Sequence, residues 1–288
     1  MQKLVIFDTE TTGIEIEDKI IQVGAIITEL GKPQDFEVFD ELCSSEIPIK
    51  IEAMATHGIR QEDINDKPPF SETKFKKRFD ELNIESNYLI AHNIDFDKKM
   101  IEKEGYENKI AFKLIDTLQC AKHLYELDEK IGKYRLPNYK LQTFRYIMFN
   151  HKEEELEAKK YNVEIKAHDA IGDVVILKMF LARLYEKIIS KYKEAECLKT
   201  RQDVFDKMVE LTKLPVEVKK INFGKHNGKT VIEIESIDPG WIDWLFEQQE
   251  TQKISNDPKF NRDLHFTLSK IRENRKSGFN SVNDGINF

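Results

Sequence analysis

Apolar residues run without alternation through Leu4-Val5-Ile6-Phe7, the pattern of a strand buried on both faces. Two more strands are predicted over residues 20–28 and 36–43, set off by Gly13 and by the turn signal Gly31-Lys32-Pro33. Links this short suit an antiparallel meander. Past Pro68-Pro69 the pattern changes to a helix over residues 70–82, a strand at 88–91, a helix over 96–105 and a strand over 111–115. Helices over 117–127 and 140–148 follow, with Pro137 between them. The charged stretch 151–161 reads as an exposed loop or short helix, and a long helix runs from about residue 168 to 187 or beyond. Three meandering strands followed by alternating helices and strands predict a layered α/β domain with a mixed sheet.

A chain of 288 residues exceeds one typical domain. The Lys- and Glu-rich stretch 188–213 is expected to be a helical linker after a first domain at 1–187. Leu214-Pro215 then opens a small α+β domain over 214–276 with its own aromatics, and the Gly/Asn/Ser-rich residues 277–288 are expected to fray. Hydrophobic content of 40% supports a real core, and 34% charged residues mark a soluble protein. No apolar run approaches the roughly 18 residues of a membrane helix. Cys43, Cys120 and Cys197 form no C-x-x-C pair. With no signal-peptide pattern after Met1, they read as free thiols of a reducing cytoplasm. The net charge of −7 argues against a passive DNA binder, and it lies before residue 214, since 214–288 holds 11 basic and 11 acidic residues.

Candidate chemistry begins with Asp8 and Glu10 at the end of the first strand. Residues two apart share a face of a strand, so these two carboxylates project together beside a core. That is costly unless a cation neutralises them. On the long helix, at 100° per residue, Asp173 falls amid Ile176, Leu177, Phe180, Leu181 and Leu184 and so faces inward. Asp97 shares its face with Met100 and Ile101, with Asp95 an acidic neighbour. A lone D-x-E is common at solvated strand ends. Four inward carboxylates near strand termini make a site, and a divalent metal is the natural occupant.

The motifs agree. Val5-Ile6-Phe7-Asp8-Thr9-Glu10-Thr11-Thr12-Gly13 resembles the first motif of the DEDDh 3′→5′ exonucleases, the superfamily of bacterial proofreading subunits. Ala91-His92-Asn93-Ile94-Asp95-Phe96-Asp97 resembles the second, in which the acid after Phe is the ligand, selecting Asp97. His168-Asp169-Ala170-Ile171-Gly172-Asp173 resembles the third, H-x-A-x-x-D. Ala55-Thr56-His57-Gly58-Ile59 and Leu114-Ile115-Asp116-Thr117-Leu118 also match, and the likeness covers about residues 1–187. The charged stretch after Asn150 is longer than usual.

The resemblance implies a ribonuclease H-like mixed five-stranded sheet flanked by helices. It also implies a two-metal hydrolase in which Asp8, Glu10, Asp97 and Asp173 hold two Mg²⁺ or Mn²⁺ ions about 3.5–4 Å apart. His168 would be the general base, since an imidazole with an ordinary pKa near 6.5 suits proton abstraction near neutral pH. Thr11 and Asn93 would touch the terminal nucleotide or order the site; His57, His92, His123 and His151 read as structural, although the resemblance makes His57 a substrate-binding candidate at the site edge. The implied partners are DNA 3′ ends and a polymerase or repair complex, in replication or repair. An RNA exonuclease and a polymerase-associated nucleic-acid-binding module stay open as alternatives.

In the second domain, Phe223-Gly224-Lys225-His226-Asn227-Gly228-Lys229-Thr230 has three residues between its glycines, one too few for a P-loop. A tight turn between short strands is expected. This segment and Trp241-Ile242-Asp243-Trp244-Leu245 resemble the C-terminal domain of exodeoxyribonuclease X-like enzymes. The tryptophans are expected in the core. Lys219, Lys220, Lys225, Lys229 and Phe223 form either a basic, partly aromatic patch for single strands or a solvated hairpin.

Overall fold

The computed structural model describes residues 2–15, 17–104, 110–255, 257 and 259–283, with side chains through residue 275. The chain divides into two compact units, Met1–Lys213 and Leu214–Phe288. In the first, strand β1 (Lys3–Thr11) pairs antiparallel with β2 (Ile20–Glu29), and β2 pairs antiparallel with β3 (Lys32–Leu42). Helices α1 (Ile51–His57), α2 (Gln61–Ile64) and α3 (Lys74–Leu82) lead to β4 (Tyr88–Ala91), which lies parallel to β1. Helix α4 (Ile94–Lys103) connects to β5 (Lys113–Asp116), parallel to β4. The sheet therefore runs β3-β2-β1-β4-β5 and is mixed and five-stranded.

After α5 (Thr117–Leu124) a small ribbon of β6 (Lys130–Ile131) and β7 (Tyr134–Arg135) precedes α6 (Leu141–Met148) and α7 (His151–Tyr161). The charged stretch is thus a full helix, started by a capping box between Asn150 and Glu153. Helix α8 (Ala170–Tyr192) spans 23 residues.

Alternation along β1 makes two cores. Leu4 and Ile6 pack with α5, α6 and α8, whereas Val5 and Phe7 pack with α3 and α4. Strand β2 is buried along its whole length, as expected of a strand covered on both faces. The stretch 188–213 is not a linker. After α8, helix α9 (Arg201–Lys213) buries Val204, Phe205, Met208 and Leu211 in the α8-side core. Its Asp206 accepts from the Tyr88 hydroxyl at 2.9 Å and pairs with Lys113 at 2.7 Å. Those apolar positions form a helical stripe that the surrounding Lys and Glu residues hide in any average over the segment.

The second unit is mostly helical: α10 (Val231–Ile237), α11 (Pro239–Ile254) and α12 (Arg262–Asn283). Among the described residues its β structure is one antiparallel bridge, Lys220–Thr230, less than the expected α+β mixture. The expected turn is present, with Gly228 N–H donating to Ile221 at 2.7 Å and Ile221 N–H donating to Lys229 at 2.9 Å. Of the expected tail, 277–283 continue α12 and 284–288 lie outside the described residues. Ile242 and Leu245 fill the core beside Leu264 and Leu268. Trp241 is only half-buried and Trp244 is 54% exposed. Two residues past Ile242 is about 200° around a helix, which turns Trp244 away from that core.

One glycine fixes the spacing of sheet and helix. A Cβ on Gly24 would stand 2.4 Å from the Ala170 carbonyl carbon and 2.4 Å from the Ile171 nitrogen, both backbone atoms at the start of α8. Gly24→Ala is expected to destabilise the fold by about 1–3 kcal/mol, the cost of overpacking against rigid neighbours. A urea midpoint equal to that of the unaltered protein would contradict this close approach.

Candidate active site

Asp8 and Glu10 continue the face of β1 that carries Leu4 and Ile6 toward α8. Strand β4 matches β1 only through Ile6–Ile90 and ends at Ala91, so both carboxylates extend past the carboxyl ends of the parallel strands. Asp8 sits opposite Gly24 on β2, the position that admits the start of α8. One turn into that helix stands Asp173, 9% exposed. Asp97 enters from the other side of the sheet. Asn93, in the left-handed region at φ 78°, starts α4 and turns Asp97 inward to 3% exposure, while Asp95 is exposed. The Thr9 hydroxyl donates to Asp97 Oδ1 at 2.7 Å.

Burial raises all four carboxylates, and the charges of their neighbours raise Asp8 and Glu10 further. Burial pushes Asp8 well above the usual carboxylate range, and Asp97, Glu10, Asp173 and Asp169 push it further. Glu10 is pushed up to about 8 by burial and then by Asp173, Asp97 and Asp169. For Asp97, burial outweighs its hydrogen bonds to Thr9 and raises it to about 7. For Asp173, burial outweighs the favourable charges of His168 and Arg145 and raises it to about 6.

His168 is exposed on a left-handed residue, φ 57°, just before α8, and its charge acts on Asp173. It also lies close enough to His57 to disfavour that ring's protonation, although burial is the larger cause. The His57 Nδ1 accepts from Ile59 N–H at 3.0 Å, and Nε2 is enclosed without a hydrogen-bond partner, beside the Thr11 backbone. The Thr11 hydroxyl is buried and donates to the Gly13 carbonyl at 2.6 Å, so it serves its own loop. Asn93 is exposed, and its backbone N–H donates to Asp116 Oδ1 at 2.9 Å. His92 bridges the Thr117 hydroxyl and the Tyr139 carbonyl, and burial lowers it to about 4, as suits a structural residue.

Gln22, which a reading of motifs passes over, fastens the site. Its amide donates to Asp169 Oδ1 at 2.8 Å and to Asp40 Oδ1 at 3.0 Å, and its carbonyl accepts from Ala170 N–H at 3.2 Å. The signal was a single amide inside the apolar run Ile20-Ile21-Gln22-Val23, where a polar group needs partners. Asp18 is a second such brace. It is fully buried and accepts from Thr12 Oγ1 at 2.9 Å and Lys50 Nζ at 2.6 Å, fixing the loop after β1.

Among the described residues no three His, Cys, Asp or Glu side chains are already drawn around one point as the ligands of a single ion. Thr9 instead holds an oxygen of Asp97, and Gln142 holds one of Asp173. The donor chemistry fits a divalent cation nonetheless. The donors are hard carboxylate oxygens, and all the charges raising Asp8 and Glu10 are other carboxylates. A cation removes that cost.

A mixed sheet with acids gathered past its parallel ends, flanked by helices, defines a ribonuclease H-like α/β protein. The Exonuclease family model matches residues 5–180, and the Exodeoxyribonuclease X-like C-terminal model matches residues 221–250. The chain belongs to the exonuclease family, as its DEDDh motifs implied, and is accordingly a phosphodiester hydrolase. Exodeoxyribonuclease 10 of Escherichia coli strain K12 is 24% identical over 273 residues, covering 93% of this chain and 98% of that one. The DNA polymerase III subunit epsilon of Buchnera aphidicola subsp. Schizaphis graminum is 28% identical over 155 residues, 48% of this chain and 65% of its own length. Among solved structures, E. coli Exonuclease I in complex with a dT13 oligonucleotide shares the fold, with TM-score 0.50 and 16% identity over 76% of this chain and 47% of that one.

The raised carboxylates set a pH dependence. A folded pKa above the unfolded value means the folded state binds more protons in between, so stability falls as pH rises through that interval. For Glu10 the interval runs from 4.5 to about 8. His92, lowered from 6.5 to about 4, acts oppositely below 6.5, which leaves roughly pH 6.5–8 as the discriminating window. The melting temperature of chelator-treated protein is expected to fall across that window, and saturating Mn²⁺ to abolish the fall. A flat or rising profile without metal contradicts the assigned electrostatics.

Proposed function

We propose that this protein is a 3′→5′ exodeoxyribonuclease that hydrolyses the terminal phosphodiester of a DNA strand, single-stranded or at a frayed end. It would release nucleoside 5′-monophosphates. The observation that carries this reading is the convergence of Asp8, Glu10, Asp97 and Asp173 past one end of the sheet, with His168 beside Asp173. Two divalent ions, Mg²⁺ or Mn²⁺, held by those four carboxylates would supply neutralising charge and a more acidic water. The carboxylates hold and orient. His168, exposed at the helix start, accepts the proton of the attacking water. As the new P–O bond forms, the bond to the 3′ oxygen breaks and that oxygen takes a proton from solvent water, leaving a fresh 3′ hydroxyl on the shortened strand and a 5′ phosphate on the released nucleotide, while His168 returns its proton to solvent. Asn93, His57 and the backbone around Thr11 would border the terminal nucleotide.

DNA as substrate is supported by the name of Exodeoxyribonuclease 10, which spans nearly the whole chain. Work beside a polymerase or repair complex fits the likeness to an epsilon subunit. Free thiols at Cys43, Cys120 and Cys197 fit a reducing cytoplasm, and no helix among the described residues is long and apolar enough to cross a membrane. The catalytic domain on this reading is the whole first unit, α9 included.

We assign the second unit a strand-holding role. Phe223 is 46% exposed and Trp244 54%, with Trp241 between them at ring-centre distances of 6.2 and 6.3 Å. Lys229 is exposed on the same turn, as is Lys225, which pairs with Asp238 at 2.7 Å. Aromatic faces beside lysines stack successive bases and track phosphates.

Two measurements test these roles. His168→Ala is expected to cut turnover on a DNA oligomer by roughly 10²–10⁴-fold while Mn²⁺ binding persists, and blocking the 3′ end but not the 5′ end is expected to stop cleavage. Near-full activity of the variant, or cleavage of 3′-blocked DNA, contradicts the reading. For the second unit, Trp244→Ala is expected to raise KM about tenfold with kcat unchanged, in line with the worth of one stacked base. An unaltered KM would remove the strand-holding role.

A further inference from the structure

We propose that Gln142 is a positioning residue for Asp173, and that α7 sets which way its amide points through Arg145 and Glu154. This rests on the reading that Asp173 holds a metal ion. Gln142 Nε2 donates to Asp173 Oδ1 at 2.5 Å. A side-chain amide has a donor end and an acceptor end, and only the donor end suits a carboxylate. The other end, Oε1, faces Arg145 Nη1 at 3.3 Å. A guanidinium only donates, so Arg145 favours the orientation that turns the NH₂ group toward Asp173. Were the amide reversed, its oxygen would meet the carboxylate and its NH₂ the guanidinium, two repulsive contacts in place of two attractive ones.

Arg145 cannot easily turn away. Its Nε and Nη2 donate to the two carboxylate oxygens of Glu154 at 2.9 and 2.7 Å. Both residues are buried, at 8% and 7% exposure, and a two-point pair of this kind fixes geometry as well as charge. Glu154 stands in the first turn of α7, which the Asn150–Glu153 box holds in place. The Lys178–Glu157 pair at 3.1 Å ties α7 to α8, the helix that carries Asp173. A chain of contacts therefore runs Glu154–Arg145–Gln142–Asp173. It holds one carboxylate oxygen of Asp173 from outside and so limits the rotation of the group that would face an ion. Groups that orient ligands in this way are worth about 10–100-fold in metal affinity.

A purely structural role would tie α6 to α7 and alter stability alone. The two are separated by titrating the full chain with Mn²⁺ in a calorimeter and melting each variant without metal. Gln142→Met keeps the bulk of a half-buried side chain and loses the amide. It is expected to weaken Mn²⁺ binding about 10–100-fold while the metal-free melting temperature stays within a few degrees. Arg145→Met with Glu154→Leu removes both members of the buried pair, a replacement that apolar packing tolerates. It is expected to weaken binding in the same direction and to add nothing once Gln142→Met is present. An unchanged Mn²⁺ affinity in Gln142→Met, where the unaltered chain binds, overturns the proposal, as do two effects that multiply independently. Should the paired variant fail to fold, Gln142→Met alone decides. No Mn²⁺ binding by the unaltered chain would instead overturn the metal reading on which this rests.

Discussion

Burial of carboxylates close to one another is the constraint around which this protein is organised. Burial disfavours the charge of Asp8, Glu10, Asp97 and Asp173 alike, and the charges of neighbouring carboxylates raise Asp8 and Glu10 further. A fold spends stability on such a cluster only where something else is gained from it. On the proposed reading the gain is a place where positive charge is favoured and where a phosphodiester, itself anionic, would be accepted once that charge is present. The net charge of −7 across the chain is consistent with a protein whose affinity for phosphate does not come from its surface as a whole.

Holding the cluster together falls to groups that do no chemistry. Gly24 lets the start of α8 lie almost against β2, which brings Asp173 up to Asp8. Gln22 clamps the N-cap of the same helix, and Asp18 fixes the loop that follows Glu10. Thr9 and Gln142 each take one oxygen of a carboxylate and so limit its rotation. The site is supported from three sides, by β2, by the loop after β1 and by α6 with α7, while the edge bearing His168 and Asn93 stays exposed.

The chemical residues were the legible part of the sequence, because their signal is local. Asp8 and Glu10 end an apolar strand, and Asp173 interrupts an apolar helical stripe. Asp97 was separated from Asp95 by the resemblance, in which the acid after Phe is the ligand, and the structure buries the one and exposes the other. The supports were less legible because they act across long separations. The Gln22–Asp169 contact joins residues 147 apart and Tyr88–Asp206 joins residues 118 apart, and no spacing rule reaches so far. Helix α9 was taken for a linker because its charge dominates any average over residues 188–213. Trp244 was taken for core because size and apolarity say nothing of which side of a helix faces in. The charged stretch after Asn150 read as surface, yet it contains Glu154, one half of the buried pair behind the site.

The most direct test of the central claim is the count of protons set free when Mn²⁺ binds, from calorimetric titrations at pH 7 in two buffers of different ionisation enthalpy. Carboxylates raised by burial, and for Asp8 and Glu10 by neighbouring carboxylates as well, hold protons at that pH and must give them up to ligate an ion. Binding of two ions per chain with net proton release is expected, and a smaller release in Asp8→Asn, which removes one of the proton-holding groups. Binding with an enthalpy independent of buffer, or no uptake of Mn²⁺ at all, would contradict it.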